Sequence, residues 1–166
     1  LAARTTTSGS VFVWESDGVS LTTVDTVTNA TAANGTHDVT VAGATTVDTA
    51  YGANGTGDTR LTTTGANNVT VNQNLGNTTN TITRITSAGN ITGAGTVQGA
   101  GVALDSVTGV GTNAGSRLAT TATTLAARST TSGGVFFSET DGVNLTTVDT
   151  VTNSTAGNGT YDFSGG

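Results

Sequence analysis

Apolar and polar residues alternate in several short segments of this chain. Val39 and Val41 flank a threonine, and the same arrangement recurs at Val69 and Val71. A period of two places the apolar side chains of each segment on one face of a strand. Because each segment carries so few apolar side chains, the pattern predicts short strands that cannot form a core alone.

Glycine-containing turns separate these predicted strands. The pairs are Asp17-Gly18, Asn34-Gly35, Asn54-Gly55, Asp141-Gly142 and Asn158-Gly159. Gly, Asn and Asp tolerate the positive φ that tight turns require. Since Val and Thr, the commonest residues of the segments between the turns, favour strands, the sequence predicts an all-β chain.

The chain also contains a long internal repeat. Residues 1–38 recur without a gap at residues 125–162, and 29 of the 38 aligned positions are identical. We therefore expect residues 1–124 to be one complete β-solenoid repeat module and residues 125–166 to be the beginning of the next module. Further modules are expected on both sides in the parent protein.

A shorter period lies inside the module. Residues 22–26 and 45–49 both read TTVDT, at an offset of 23, and Ala-Asn-Gly-Thr-x-Asp occurs at residues 33–38 and 53–58, at an offset of 20. Repeats of this length are typical of solenoids, whose coils bury a shared core. The sequence predicts a parallel β-helix with coils of about 20–23 residues and about six coils in each module.

The composition indicates an ordered chain with a small apolar core, and it argues against nucleic acid and a membrane span. There are 41 Thr, 24 Gly and 14 Asn but no Lys, Pro or Cys, and 10% of residues are charged. The net charge of −6 and the absence of Pro do not favour disorder, and Thr–Thr pairs suit an outer pleated surface. Five dispersed Arg argue against nucleic acid as a partner, and no apolar run is long enough to span a membrane.

Candidate chemistry is sparse. The lone His37 corresponds to Tyr161 in the second copy, so we expect a turn or surface residue and no zinc site. The recurring carboxylates are Glu15, Asp17 and Asp25, which correspond to Glu139, Asp141 and Asp149. One calcium site per module is an alternative, but the nonapeptide of calcium-binding solenoids is absent. We assign no catalytic, cofactor-binding or metal-binding residue and expect no enzyme and no cofactor.

Aromatic residues differ between the two copies. Ser138 replaces the single Trp14, and Phe137 replaces Val13. We expect these positions to face outward or to make contacts between chains, with a tolerant core position as the alternative. Trp14 and Phe136 are candidates for lateral association.

Residues 109–149 resemble the repeats of giant bacterial surface proteins related to filamentous haemagglutinin. The matching residues are Gly109-Val110-Gly111-Thr112, Leu118, Leu125, Ser132-Gly133-Gly134-Val135-Phe136 and Asp141-Gly142, preceded by a similar segment over residues 58–71. Arg117 stands where those repeats usually have proline. The resemblance implies a right-handed parallel β-helix that is secreted, is extracellular or displayed at the cell surface, and serves adhesion, a sheath or a matrix.

The sequence thus favours a structural extracellular fibre, sheath or adhesin stalk that self-associates into filaments or lateral bundles, with cell-surface glycans as a further partner. One alternative is a solenoid that binds glycans or ice, although the Thr-x-Thr segments at residues 26–28, 81–83 and 121–123 do not recur at the coil period. A β-helix enzyme that degrades polysaccharides is the less favoured alternative.

Overall fold

The computed structural model describes residues 1–165, which form strands and turns and contain no helix. The strands are β1 (Val11–Glu15), β2 (Val19–Leu21), β3 (Asn29–Ala30), β4 (His37–Val41), β5 (Thr45–Val47), β6 (Tyr51–Gly52), β7 (Thr59–Thr63), β8 (Val69–Val71), β9 (Leu75–Gly76), β10 (Ile82–Ser87), β11 (Asn90–Thr92), β12 (Thr96–Ser106), β13 (Gly109–Val110), β14 (Leu118–Ser129), β15 (Val135–Glu139), β16 (Asn144–Leu145) and β17 (Tyr161–Ser164). The pairings between these strands are parallel. The expected all-β parallel solenoid is therefore confirmed, with about seven coils.

Strands pair with their counterparts in the adjacent coils, which creates three faces. The first face contains β1, β4, β7, β10 and the second halves of β12 and β14. The second face contains β2, β5, β8, β11 and β13. The third contains β3, β6, β9 and the first halves of β12 and β14. The strands β12 and β14 are long because each continues from the third face into the first face of the next coil.

The coils differ in length more than the sequence predicted. One column of the first face consists of Val13, Val39, Leu61, Ile85, Leu104 and Ala127, separated by 26, 22, 24, 19 and 23 residues. The two TTVDT segments are not stacked, since Thr45 pairs with Val19 rather than with Thr22. The offset of 23 between those segments is thus not the coil register, which is 26 residues at that point.

The core is a single apolar column enclosed by the three faces. Val39, Val41, Val69 and Val71 are completely buried, which confirms the predicted alternation. Their cluster continues through every coil from Leu21 to Phe137 and beyond. Burying a side chain of this size contributes roughly 1.5–3 kcal/mol, so each coil is stabilised by the layers above and below it.

Four threonines and one serine form hydrogen bonds at the corners of the coil. A hydroxyl group donates to the carbonyl oxygen four residues later at Thr5–Gly9, Thr31–Gly35, Thr63–Asn67, Ser129–Gly133 and Thr155–Gly159. These bonds satisfy carbonyl groups that the turn removes from strand pairing. The outer Thr pairs predicted from composition therefore account for only part of the threonine content.

Positive φ angles fall mostly outside the predicted turn pairs. Of the five Asn-Gly and Asp-Gly pairs, only Gly55 has a positive φ, of 63°. Among residues other than glycine, Asp25, Thr26 and Ala33 have φ angles of 45°, 65° and 49°. Glycine at position 57 is instead required by close stacking, as a Cβ atom there would lie 2.2 Å from the carbonyl oxygen of Gly35.

The second copy of the repeat lies on a different face from the first copy. Arg4 pairs with Ala30, beside the third face, whereas its counterpart Arg128 lies in β14 on the first face and pairs with Asp105 and Ser154. A repeat of 124 residues therefore spans five coils and about one third of another, instead of the six predicted. Equivalent residues of successive copies are turned by about one face around the axis.

Candidate functional surface

The outer side of the first face carries two rows of side chains. One row is Phe12, Asp38, Arg60, Arg84, Ala103 and Ala126, and the other is Trp14, Thr40, Thr62, Thr86, Asp105 and Arg128. The first row changes along the axis from an aromatic ring through charged groups to alanine, and the second changes from an aromatic ring through threonine to the charged pair Asp105 and Arg128. This face therefore combines aromatic, charged, hydroxyl and small apolar side chains.

Ion pairs join the central coils of the first face. They are Arg60–Asp58 (3.1 Å), Arg60–Asp149 (2.9 Å), Arg84–Asp105 (3.0 Å), Arg84–Asp149 (3.2 Å) and Arg128–Asp105 (2.7 Å). Each guanidinium group is thus neutralised by neighbouring carboxylates. Such a network does not present the clustered positive charge that phosphate groups require.

A β-hairpin that leaves the last coils folds back over the first face. We call residues 146–153 the second hairpin; its strands are joined by hydrogen bonds between Val148 and Val151 of 3.0 and 2.9 Å. Both valines are buried against Ala103 and Ala126, with Ile82 alongside. The hairpin thereby covers alanines that would otherwise lie on the outer surface.

Charged groups hold the tip of the second hairpin. Arg84 donates to the backbone carbonyl oxygen of Asp149 at 2.7 Å, and Arg60 donates to its carboxylate at 2.9 Å. Partial burial raises the pKa of Asp149, but the hydrogen bonds and charges of Arg84 and Arg60 outweigh it and lower the pKa overall. The tip therefore stays ionised and bound at neutral pH.

The same hairpin exists in the first copy, in a different environment. Residues 22–29, which we call the first hairpin, have the identical sequence TTVDTVTN. Asn29 and Asn153 anchor the bases of the two hairpins through equivalent backbone groups. Val24 of the first hairpin is 50% exposed, whereas its counterpart Val148 is 5% exposed.

Exposed aromatic side chains mark the first coil. Phe12 and Trp14 are 72% and 69% exposed, and they line a shallow cleft with Asp38 and Thr40. The expected outward orientation of Trp14 is confirmed. The expectation for Phe137 is wrong, because this side chain is completely buried.

Phe137 and Val13 both pack inward, although the repeat has turned between them. Phe137 lies above Leu118 and stacks on Phe163 at a centroid distance of 5.4 Å, while Val13 is half-buried against the core. The turned second copy places the position on a different face, where Phe137 pairs with Leu118, whereas Val13 lies on the first face. A core position that tolerates a change of size, the alternative considered from the sequence, describes it correctly.

Threonine ladders run along two faces. Thr40, Thr62 and Thr86 stack on the first face, and the second face stacks Ser20, Thr46, Thr70 and Thr92. The expected outer Thr–Thr pairs are thus confirmed at these positions. Each ladder contributes a single hydroxyl group per coil, and neither ladder runs the full length of the described chain.

His37 is a buried core residue, not the turn or surface residue expected from the sequence. Its ring contacts Tyr51 edge-on at 4.6 Å, and Nε2 lies 3.1 Å from the carbonyl oxygen of Ala3. Burial lowers the pKa of His37, with the bond to Ala3 opposing the effect. Tyr161 replaces His37 in the second copy, so both copies have an aromatic ring at this position. That shared ring was a sequence signal that His37 could be a core residue.

The recurring carboxylates do not come together. Glu139 accepts hydrogen bonds from Thr120 and from the amide of Ala122, Asp149 binds arginines, and Asp141 is exposed in a turn. Within residues 1–165, no group of three acidic or histidine side chains could hold a metal ion. Their recurrence reflects the repeated fold of strand ends and hairpin tips.

The sequence resemblance has no counterpart in direct comparison. No protein-family model, curated protein or solved structure matched the chain. Nor do residues 1–165 include a helix of the length and apolarity needed to cross a membrane. The fold and the surfaces described above are therefore the basis for assigning a function.

Proposed function

We propose that this chain is a non-catalytic segment of a structural extracellular fibre, sheath or adhesin stalk made of tandem β-solenoid modules, related to the repeats of filamentous haemagglutinin. One observation carries the proposal: about seven coils pair in parallel along one axis around a shared core. Such a stack can be extended by further coils without redesigning its interior. The second copy, identical at 29 of 38 positions, continues the stack in this way.

The proposed role is mechanical. Hydrogen bonds between strands run from coil to coil, parallel to the rod, so tension along the axis is distributed over every strand pair. The outer surface supports this role, since Arg60 and Arg84 are neutralised by carboxylates and the threonine ladders are polar and uncharged. Rods of this kind would associate laterally or display a terminal adhesive domain.

The experiment is to examine chains with increasing numbers of tandem modules by electron microscopy and fibre diffraction. At about 4.8 Å per coil, each added module should lengthen the rod by about 26 Å, and a reflection near 4.8 Å should lie along the fibre axis. Rounded particles, or a diffraction pattern that lacks this axial reflection, would contradict the proposal.

Glycan binding is a second candidate, favoured by the aromatic cleft of the first coil. Phe12 and Trp14 expose flat apolar rings beside the carboxylate of Asp38 and the hydroxyl of Thr40. Apolar surface combined with a few polar groups is typical of small-ligand sites. A glycan array probed with the chain and with Trp14→Ser, which reproduces Ser138 of the second copy, tests this; equal binding by both chains would remove the candidate.

A further inference from the structure

We propose that the first hairpin is a clamp between modules, which docks on the outer face of a copy of residues 1–124 placed immediately before Leu1. The identity of this occupant rests on the tandem arrangement of the proposed function. In that position the hairpin covers Ile82 and Ala103 of the preceding copy, and Asp25 binds its Arg60 and Arg84. The second hairpin shows every one of these contacts within the chain.

Identical sequence and geometry support equivalent docking. Both hairpins have hydrogen bonds of 2.8–3.0 Å across the strands and the same anchoring asparagine at the base. Their turn residues have matching φ angles, 45° and 65° in Asp25 and Thr26 and 44° and 70° in Asp149 and Thr150. A segment shaped so alike in both copies is suited to the same surface.

Backbone strain points to a contact that the first hairpin is built to make. A left-handed conformation costs roughly 1–2 kcal/mol for a residue other than glycine, and the β-branched Thr26 is a poor choice for it. Strain of this kind persists where the surroundings stabilise it. In the second hairpin, burial of Val148 and Val151 offsets the strain, whereas the first hairpin has the same strain with Val24 exposed.

A second ion pair joins the second copy to residues 1–124, and its equivalent is also expected between the first copy and a preceding module. Asp162 of the second copy binds Arg117 of the first at 2.9 Å. Its counterpart Asp38 would meet Arg117 of a preceding copy, just as Asp25 would meet Arg60 and Arg84. Two carboxylates at separate points of the boundary are therefore placed for arginines of the preceding module.

The docked hairpin links coils that are distant in the stack. From its base above β14, the second hairpin crosses β12 and β10 and reaches Arg60 in β7. At about 4.8 Å between strands, it extends roughly 14 Å along the axis. A hairpin of this reach fastens the start of one module to the interior of the preceding one, so the junction cannot open one coil at a time.

Thiol protection in a two-copy chain tests the clamp. Residues 1–124 are fused to the N-terminus of the 166-residue chain, and Val24→Cys is introduced in the 166-residue part, so that a complete module precedes it. Because the chain has no cysteine of its own, the introduced thiol is the only one that can react. We expect it to react with a thiol reagent about tenfold more slowly than Val24→Cys in the 166-residue chain. Ala114→Cys, on an exposed turn, should react at the same rate in both chains.

A charge variant and the shape of the rod separate the possible failures. Arg84→Ala in the preceding copy should restore at least part of the reactivity of Val24→Cys. If small-angle scattering shows a continuous rod while Val24→Cys still reacts as fast as in the single chain, the clamp is wrong and the tandem solenoid stands. If the added copy does not extend the rod, the proposed function itself is wrong.

Discussion

At the scale of single residues, the stacking of coils limits side chains most strongly at the corners. Gly57 lies directly over the backbone of Gly35, and Gly35 lies over Gly9 in turn. At Gly35 and Gly57 a Cβ atom would lie only 2.0 and 2.2 Å from a backbone oxygen of the adjacent coil, so glycine at these two corners lets the coils approach to the spacing of paired strands.

Gly57→Ala should lower the free energy of unfolding by about 1–3 kcal/mol, because its Cβ atom would lie 2.2 Å from a backbone oxygen that cannot move away. Urea denaturation followed by circular dichroism measures the change. Gly142→Ala is the matched control, since a Cβ atom there meets nothing within 4 Å. Equal effects of the two substitutions would mean that the corner is not tightly packed.

Thr150→Gly should raise the free energy of unfolding by about 0.5–1 kcal/mol, since glycine removes the strain of a φ of 70° at a modest cost in chain entropy. Thr26→Gly should have a similar effect, because its φ is 65°. The midpoint of urea denaturation reports both. A loss of stability in either variant would show that the threonine side chain, and not the backbone shape, matters there.

At the scale of elements, sequence patterns predicted strands well and hairpins poorly. The alternation at Val39 and Val41 was sufficient to predict a strand, since the residues of one strand determine by themselves which side chains face the core and which face solvent. Val24 and Val27 gave no such signal, because they pack on a surface supplied by residues far along the chain. The positive φ of Asp25 and Thr26 was hidden as well, as neither residue is the glycine that usually marks it.

Val148→Ala should lower the free energy of unfolding by about 1–2.5 kcal/mol, because it removes buried methyl groups from the docked second hairpin. Val24→Ala, at the equivalent exposed position, should change it by less than about 0.5 kcal/mol in the 166-residue chain. Denaturant titrations of both variants give the comparison. Similar losses would contradict the difference in docking between the two hairpins.

Docking of the second hairpin should weaken in acid. The pKa of Asp149 is lowered by Arg84 and Arg60 in the folded chain, so its contribution is present above the pKa of the unfolded chain and is lost as pH falls through the folded value. The reactivity of Val148→Cys relative to that of the exposed Ala114→Cys at the same pH should therefore increase below about pH 4, and this ratio removes the loss of thiolate that acid causes in both variants. Adding Asp149→Asn should raise that reactivity at neutral pH and remove much of its change in acid. A pH response unaffected by Asp149→Asn would assign it to another group.

At the scale of the whole molecule, composition and repeats predicted the parallel solenoid, but not its register. Segments of the same sequence do not always stack on each other, as residues 22–26 and 45–49 show. The reason is that the coils range from 19 to 26 residues, so their extra residues fall at different corners. Shared backbone pairing, rather than shared sequence, decides which residues are neighbours. The prediction that Phe137 faces outward was wrong for the same reason.

Leu61→Ala should lower the free energy of unfolding by about 2–5 kcal/mol, since Leu61 is completely buried between Val39 and Ile85 of the adjacent coils. Hydrogen exchange should accelerate most in the coils next to it, as interactions in a solenoid are between neighbours. An even acceleration over all coils would indicate a single cooperative unit.

The turn of about one face between copies would give an extended array a helical surface pattern. Three consecutive modules would complete sixteen coils and one full revolution, about 77 Å along the rod. Any one side would then show a hairpin only once per revolution. A neighbouring filament along that side would contact a hairpin once in every revolution. This long repeat would determine the axial offset between two associated filaments.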